Sequence, residues 1–300
     1  MHMPFGILAI YCALAVWAAL LVLDLKRLSF GRFLSFGIAL MLVLNVRYLI
    51  EGAASSIAFF IGIYDVLDNL GVASSQSAPD LAKCPANACS VWGDYYLNHP
   101  SWGVAFYERF ANGGQLRNGL LYGHVAFNSL TFVLMHVQLL RPGNGSNPAQ
   151  HRMIGRVAFT TLTISTICAV WLASEHGPVT EYGGNFAMFG FWFMSMCVYG
   201  CAVMGILNIR KGDSAAHRVW MIRFVGSMWG AFWLFRVMLF VLGPLLRNVE
   251  AGALLICIWF SAPLGILIAE FFRRRLDQRA NLSGVATAAG RAFATPAPMR

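Results

Sequence analysis

Apolar residues run along this chain in long blocks, broken by short polar or charged segments. The blocks cover 5–23, 33–50, 118–140, 156–174, 185–208, 219–243 and 251–272. Each is near the length a helix needs to cross a hydrocarbon core about 30 Å thick. The pattern predicts an all-α, polytopic transmembrane helix bundle of about seven helices with an external loop cap.

Charge sorts the connections between blocks. Residues 24–32, 141–155 and 209–218, and the tail from Arg273, are basic. Residues 175–184 and 244–250 are neutral or acidic. Lys and Arg concentrate on the cytoplasmic side of membrane proteins. Strict alternation therefore fits seven spans, with the N-terminus outside and the C-terminus cytoplasmic. An even number of spans would put one basic loop on the wrong side. The first block lacks a basic leader and ends in Asp24-Leu25-Lys26-Arg27 rather than a small-residue cleavage site. It is expected to be a retained first helix.

The stretch between the second and third blocks reads differently. Residues 52–64 are apolar but too short to cross alone, and either extend the second helix or lie in the interface. A crossing there would reverse the parity of everything downstream. A stretch rich in Ser, Asp, Pro and Asn follows, then the aromatic run VWGDYYLNHPSWGVAFYERF. The expected organisation is helices 1–2 with an interfacial segment in 1–66, an extracytoplasmic cap loop in 67–117, a five-helix transmembrane core in 118–272 and a cytoplasmic tail in 273–300. The tail, rich in Ala, Gly, Thr and Pro from Ala280, is expected to be disordered.

Composition strengthens the membrane reading. Of 300 residues, 58% are hydrophobic and 12% charged, about half the charged fraction of a soluble domain. The net charge of +9 lies in clusters flanking the apolar blocks, at Lys26-Arg27-Arg32, Arg141-Arg152-Arg156, Arg210-Lys211-Arg218 and Arg273-Arg274-Arg275. That placement suits anionic headgroups, so the expected partner is the lipid bilayer and not nucleic acid. Cys12, Cys168, Cys197, Cys201 and Cys257 fall inside blocks and read as small apolar residues. Cys84 and Cys89, in CPANAC, are spaced for a local disulfide in an oxidising compartment, with free thiols or a metal site as alternatives.

Ionisable groups at membrane depth are costly and mark candidate sites. Arg47 and Glu51 stand one turn apart and can pair. Arg236, in WLFRVML, lies about two thirds of the way along the sixth helix, and needs Glu51, Glu250, a backbone carbonyl or a bound anion as partner. Glu270 ends the seventh helix at about the depth of Arg223. Bundle-stabilising ion pairs are the competing reading for these four. Among histidines, His124 sits about two turns inside one end of the third helix and His136 near the other. His151 and His217 stand just before the fourth and sixth helices, so His136, His151 and His217 are expected at similar depth. His151-Arg152-Met153-Ile154-Gly155-Arg156 and His217-Arg218-Val219-Trp220-Met221-Ile222-Arg223 put a histidine and two arginines at each helix start. Free N–H groups and the helix dipole favour anions there. Such a cluster suits phosphates, carboxylates, haem propionates or a metal. Plain interfacial anchoring by snorkelling competes with that chemistry.

The block from Gly123 to Glu270 resembles a bacterial family of predicted membrane proteins (domain of unknown function 2306). The resemblance is carried by Gln138 to Pro142 (Q-x-L-x-R-P), HRxxGR at His151–Arg156, HRxWMIR at His217–Arg223, the Leu-Phe-Arg ending at Arg236 and the Ile-Ala-Glu ending at Glu270. It covers about half of the chain, implies a multi-pass helical fold in a bacterial inner (plasma) membrane, and carries no settled activity. The first 117 residues have no counterpart in it.

Three function classes follow. The first is a non-enzymatic subunit or accessory protein of a larger membrane assembly, with other membrane subunits as partners. The second is a b-type haem electron-transfer protein, similar in layout to cytochrome b561-like bundles, with haem b held most simply by His136 together with His151 or His217. Against it stands the lack of two equally spaced histidine pairs. The third is a transporter, binder or enzyme for an anionic or lipid-soluble substrate at the cluster of His136, His151, Arg152, His217, Arg218 and Arg223. No P-loop, H-E-x-x-H or nucleophile elbow is present.

Overall fold

Hydrocarbon offers no partner to a backbone N–H or C=O, so a span must satisfy its own. The apolar blocks accordingly form helices in the computed structural model, which describes residues 5–27, 30–52, 114–140, 147–175, 184–245 and 250–293. The helices are α1 (Phe5–Arg27), α2 (Gly31–Glu51), α3 (Gln115–Leu139), α4 (Pro148–Ser174), α5 (Gly184–Arg210), α6 and α7 (Glu250–Phe293). Three runs make up α6: an α-helix over Ser214–Trp229, a π-helical turn over Gly230–Leu234 and an α-helix over Phe235–Leu245. Among the described residues there are seven such rods and no strand. Helices α2 to α7 each contain a stretch long and apolar enough to cross a membrane.

Contacts between helix ends settle the alternation. At one end Arg32 bonds Asp24 (α1–α2), Phe30 packs on Phe272 (ahead of α2, to α7), Gln138 bonds His151 (α3–α4) and Arg223 bonds Glu270 (α6–α7). This is the basic end. At the opposite end Tyr48 packs on Tyr122 (α2–α3) and Arg117 pairs with Glu175 (α3–α4). Because α2 finishes and α3 starts at the same end, the seven rods alternate without a shift in parity. Residues 53–113, with most of 52–64, the expected cap and Cys84 and Cys89, lie outside the described residues.

Helices α4, α6 and α7 outrun their apolar blocks the furthest. Pro148 opens α4 behind Asn147, whose side chain accepts from the Ala149 N–H at 2.9 Å. Asp213 caps α6 by accepting from the Ala216 N–H at 2.8 Å. Such caps satisfy N–H groups orphaned at a helix start. They place His151 and His217 inside first turns rather than ahead of them. The tail expected to be disordered from Ala280 is a correction: α7 continues to Phe293. Residues 271–293 contain no proline and several alanines, and ion pairs one turn apart support the start of this extension. Glu270 binds Arg273 at 2.6 Å and Arg274 at 2.9 Å, and Arg273 binds Asp277 at 2.7 Å.

The α1–α2 turn is held by its own polar core. Asp24, buried although charged, accepts from the Phe33 N–H at 3.0 Å and from Arg32 at 2.7 Å. It lies past the apolar run of α1, and the Phe33 N–H and the Arg32 guanidinium hold its carboxyl below the usual carboxylate range. Trp17 donates its indole N–H to the Phe33 carbonyl at 3.1 Å and stacks on the Phe33 ring. It thereby joins α1 to Trp233 of α6, with ring centroids 4.4 Å apart.

The closest helix pair is α6 on α7. A Cβ built at Gly226 would stand 2.5 Å from both Ala269 Cβ and the Gly265 carbonyl oxygen. At Gly230 it would overlap the Ser261 carbonyl, and at Gly265 the Gly226 carbonyl. Gly226-x-x-x-Gly230 is the small-residue spacing that lets membrane helices touch backbone to backbone. Replacing Gly230 with Val should cost about 1–3 kcal/mol or more, the range for overpacking a close contact. Gly119 has nothing within 4 Å of its added Cβ, so Gly119→Ala should be neutral or mildly stabilising. Thermal unfolding in mild detergent checks both; equal midpoints for the two variants would refute the contact.

Candidate functional site

Two groups of polar residues stand out, one at the basic end and one deep within the spans. At the basic end the first turns of α4 and α6 bring His151 and His217 together in a T-shaped contact, ring centroids 6.5 Å apart and planes nearly perpendicular. The His217 Nδ1–H donates to the Gly205 carbonyl of α5 at 2.9 Å. A carbonyl only accepts, so Nδ1 carries the proton and Nε2 keeps its lone pair in the neutral ring. A Cβ at Gly205 would stand 2.8 Å from Met221 Sδ, so the Met221 side chain packs directly on this glycine. Gln138 of α3 donates to the His151 carbonyl at 3.3 Å, past Gly155, where a Cβ would stand 3.4 Å from Gln138 Nε2.

Several motif residues have structural work. Arg223 packs over the Trp220 ring at 4.7 Å and bonds Glu270 at 3.4 Å, and Glu270 also takes Arg273 and Arg274. Arg152 and Arg218 are exposed beside the two histidines. His136 does not join them. It is 1% exposed, its Nδ1 donates to the Phe132 carbonyl at 2.6 Å, and its Nε2 accepts from the Trp229 indole N–H at 2.6 Å. Both ring nitrogens are occupied, and the ring packs among Phe132 and Trp229. A His136 pairing with His151 or His217 is therefore not what the fold assembles.

The deeper group lies between α3, α4 and α6. His124 Nδ1 donates to the Ser165 carbonyl at 3.0 Å, and Ser165 Oγ bonds the His124 carbonyl at 3.2 Å. Among the described residues nothing bonds His124 Nε2. Arg236 acts on the His124 ring electrostatically. Its Nη1 donates to the Phe232 carbonyl at 2.8 Å, and its guanidinium lies 3.7 Å over the Phe232 ring. Arg236 stands 13 residues beyond Arg223, about 20 Å along the helix and some two thirds of the way across a hydrocarbon core of about 30 Å. No carboxylate among the described residues pairs with it. The side chains of Glu51 and Glu250 lie outside the described positions, so the expected Arg47–Glu51 pair does too.

The π turn of α6 belongs to this group. The Phe235 N–H bonds the Gly230 carbonyl, five residues back, so the turn holds one residue more than an α-helix. Phe232, inside it, supplies both the carbonyl and the ring that hold Arg236. Such turns recur at functional positions of membrane and soluble helices.

Sequence reasoning missed Trp229 as the partner of His136, Ser165 as the partner of His124, and the glycines of the α6–α7 contact. Only the glycines left a signal, in the spacing Gly226-x-x-x-Gly230. Among the described residues no group of three or more His, Cys, Asp or Glu is arranged to hold a metal ion.

A family model described as predicted membrane protein (DUF2306) matches residues 121–273, just over half of the chain. The chain belongs to that family and is a multi-pass membrane protein. No curated protein and no solved structure matches it. The matched stretch spans α3 to α7 and holds both polar groups. Its His136–Trp229 bond makes a direct prediction. Trp229→Phe keeps most of the ring but leaves His136 Nε2 buried without a donor, which should cost about 1–3 kcal/mol. Thermal unfolding in detergent reads this, and an unchanged midpoint would show that the bond does not form.

Proposed function

We propose that this member of the predicted membrane protein family (DUF2306) binds, within the bilayer, an anionic amphiphile whose head group sits against Arg236 and His124. One observation carries the reading: an arginine two thirds of the way across the spans with no carboxylate partner among the described residues. A lone guanidinium in hydrocarbon is costly. One carbonyl and one aromatic face offset part of that cost, and a bound anion offsets the rest. An interfacial anchor would send its guanidinium outward to water. Arg236, although partly exposed, instead turns back four residues along its own helix onto the Phe232 carbonyl and ring.

The two side chains divide the chemistry. A carboxylic acid enters lipid most readily as the neutral form. His124 Nε2, an acceptor in this tautomer, accepts a hydrogen bond from the acid O–H, and Arg236 donates to the other carboxyl oxygen. Ser165 fixes the His124 ring from the other side. With the basic loops on the cytoplasmic side, as their charge favours, the site lies in the outer half of a bacterial inner membrane. A carrier or a lipid-binding protein would both use such a site. The accessory-subunit reading gains no specific support, because exposed apolar side chains on these helices suit lipid as well as a partner.

The test uses tryptophan as reporter, since Trp233 is three residues from Arg236. Dibrominated stearic acid should quench the purified protein saturably, and its neutral methyl ester should bind tenfold or more weakly. A charged hydrogen bond is worth about 1.5–3 kcal/mol, and 1.4 kcal/mol is tenfold in affinity. Arg236→Leu should abolish the preference for the acid, while Arg236→Lys keeps part of it. Equal quenching by acid and ester in both the parent and Arg236→Leu proteins overturns the proposal. So does acid binding that appears only after Glu51→Gln or Glu250→Gln, because a carboxylate of the chain would then already occupy the site.

A further inference from the structure

We infer that the halves of α6 and α7 away from the basic end, Phe235–Leu245 and residues 250–262, swing as one body about a hinge at Gly230–Leu234 and Pro263, and that the swing moves Arg236 relative to His124. Four observations meet at one level of the bundle. The first is the π turn of α6, where the Phe235 N–H reaches the Gly230 carbonyl five residues back. The second is Pro263 in α7, which offers no N–H to the Trp259 carbonyl four residues before it. Prolines and π turns are the usual causes of a kink in a helix, and here one of each stands on either side of the closest contact. A Cβ at Gly230 would overlap the Ser261 carbonyl and stand 2.9 Å from Ala262 Cα.

The third observation is a boundary in the core. Phe235, Leu254, Cys257 and Ile258 pack with Ala187 of α5 in a cluster of their own. Phe232 and Trp233 belong instead to the larger cluster that holds Phe132, Leu162 and Trp17. Helix α6 thus changes partners at its π turn. Beside the far halves α5 offers no side chain at Gly190, where a Cβ would stand 2.6 Å from Ile258, so nothing on that face interlocks with the moving body. The fourth observation is that the buried indole N–H groups of Trp233, in the π turn, and Trp259, one turn before Pro263, have no hydrogen-bond partner among the described residues. Buried donors are normally satisfied, so both indoles gain from a second arrangement that brings them acceptors.

The hinge bears on the acid site because that site straddles it. Arg236 rides on the moving half, and its bond to the Phe232 carbonyl crosses the turn. His124 is tied to Ser165 of α4, on the other side. A ligand held by both groups favours the arrangement that brings them close and shifts the population toward it. That coupling rests on the acid-binding reading; the hinge does not.

Distances between spin labels test both. Labels carried on ketone amino acids at the exposed positions Val241 of α6 and Ile167 of α4 span the hinge, and the native cysteines stay in place. Val241 lies about 14 Å along the helix from Phe232, so a change of about 20° in the kink moves it by roughly 5 Å. Pulsed electron paramagnetic resonance on the full chain in mild detergent should show two Val241–Ile167 distances about that far apart. Pro263→Ala restores the missing N–H and should leave mainly one, and stearic acid should shift the balance between them. Val241 and Ile256, both on the moving body, should keep one distance throughout, which also confirms the fold of Pro263→Ala. A single Val241–Ile167 distance that neither the substitution nor stearic acid changes overturns the inference. A Val241–Ile256 distance that varies does so too, because the two halves then move separately. Brominated acid that quenches tryptophan while the distances stay unchanged breaks the coupling to the site. Two distances that respond to Pro263→Ala in a protein that binds no acid uphold the hinge and overturn only the acid-binding reading.

Discussion

The backbone contact between α6 and α7 is the constraint on which the rest of the bundle depends. With Gly226, Gly230 and Gly265 facing one another, the two helices approach until carbonyl oxygens meet Cα atoms. Nothing larger fits. That contact sets α6 in one position, and α6 presents a different polar group on each of its other sides. His217 reaches α5, Arg223 reaches Glu270, Trp229 reaches His136, and Arg236 acts on His124 electrostatically. The π turn starts at Gly230, the second glycine of the Gly226-x-x-x-Gly230 pair in α6. One added residue rotates all that follows by about 100°, so the glycine face can stay on α7 while Phe232 and Arg236 are aimed elsewhere. Pro263 of α7, which lacks a backbone N–H, lies in the same stretch of the pair, next to the Ser261–Ala262 segment that Gly230 touches.

Other polar groups inside the spans pair across helices, while the buried indole N–H groups of Trp233 and Trp259 have no hydrogen-bond partner among the described residues. Thr131 meets Thr161 at 2.7 Å across α3 and α4, Asn45 meets Ser129 at 2.7 Å across α2 and α3, and Ser165 and His124 bond reciprocally. Bonds of this kind join helices in lipid, where hydrophobic attraction between them is absent. His136 belongs with these structural bonds. Its indole and carbonyl partners occupy the nitrogens that a metal would need, and the aromatic rings around it close the remaining space. A buried histidine near a helix end looked like a ligand from sequence, and the fold uses it as a tie between α3 and α6.

The helix bundle was legible because its cause is one-dimensional. Block length and loop charge act along the chain, and they brought out seven rods, their alternation and the grouping of Asp24, Arg32, His151, His217 and Glu270 at one end. The helix ends were less legible, since the apolar blocks measure the hydrocarbon and not the helix. Asn147 and Asp213 carry α4 and α6 on into polar sequence, and alanine with i,i+4 ion pairs carries α7 past Ala280. The sites were legible only as residue types. Depth along a helix does not say which side a ring faces, so His136, His151 and His217 looked equivalent. The indole of Trp229 and the carbonyl of Gly205 separate them, and neither partner has a spacing that sequence could have revealed.

The two ends of the spans differ in how charge is balanced, and that difference locates the chemistry. At the basic end Glu270 neutralises Arg223 and Arg273, Asp24 neutralises Arg32, and Arg152, Arg156, Arg210, Arg218 and Arg275 are exposed. Deeper in the bundle the relation is reversed. His124 and Ser165 satisfy each other as neutral groups, while Arg236 keeps a full charge against one carbonyl and one ring. An unmatched cation attracts an anion, and the proposed acid answers the charge of Arg236 inside the spans.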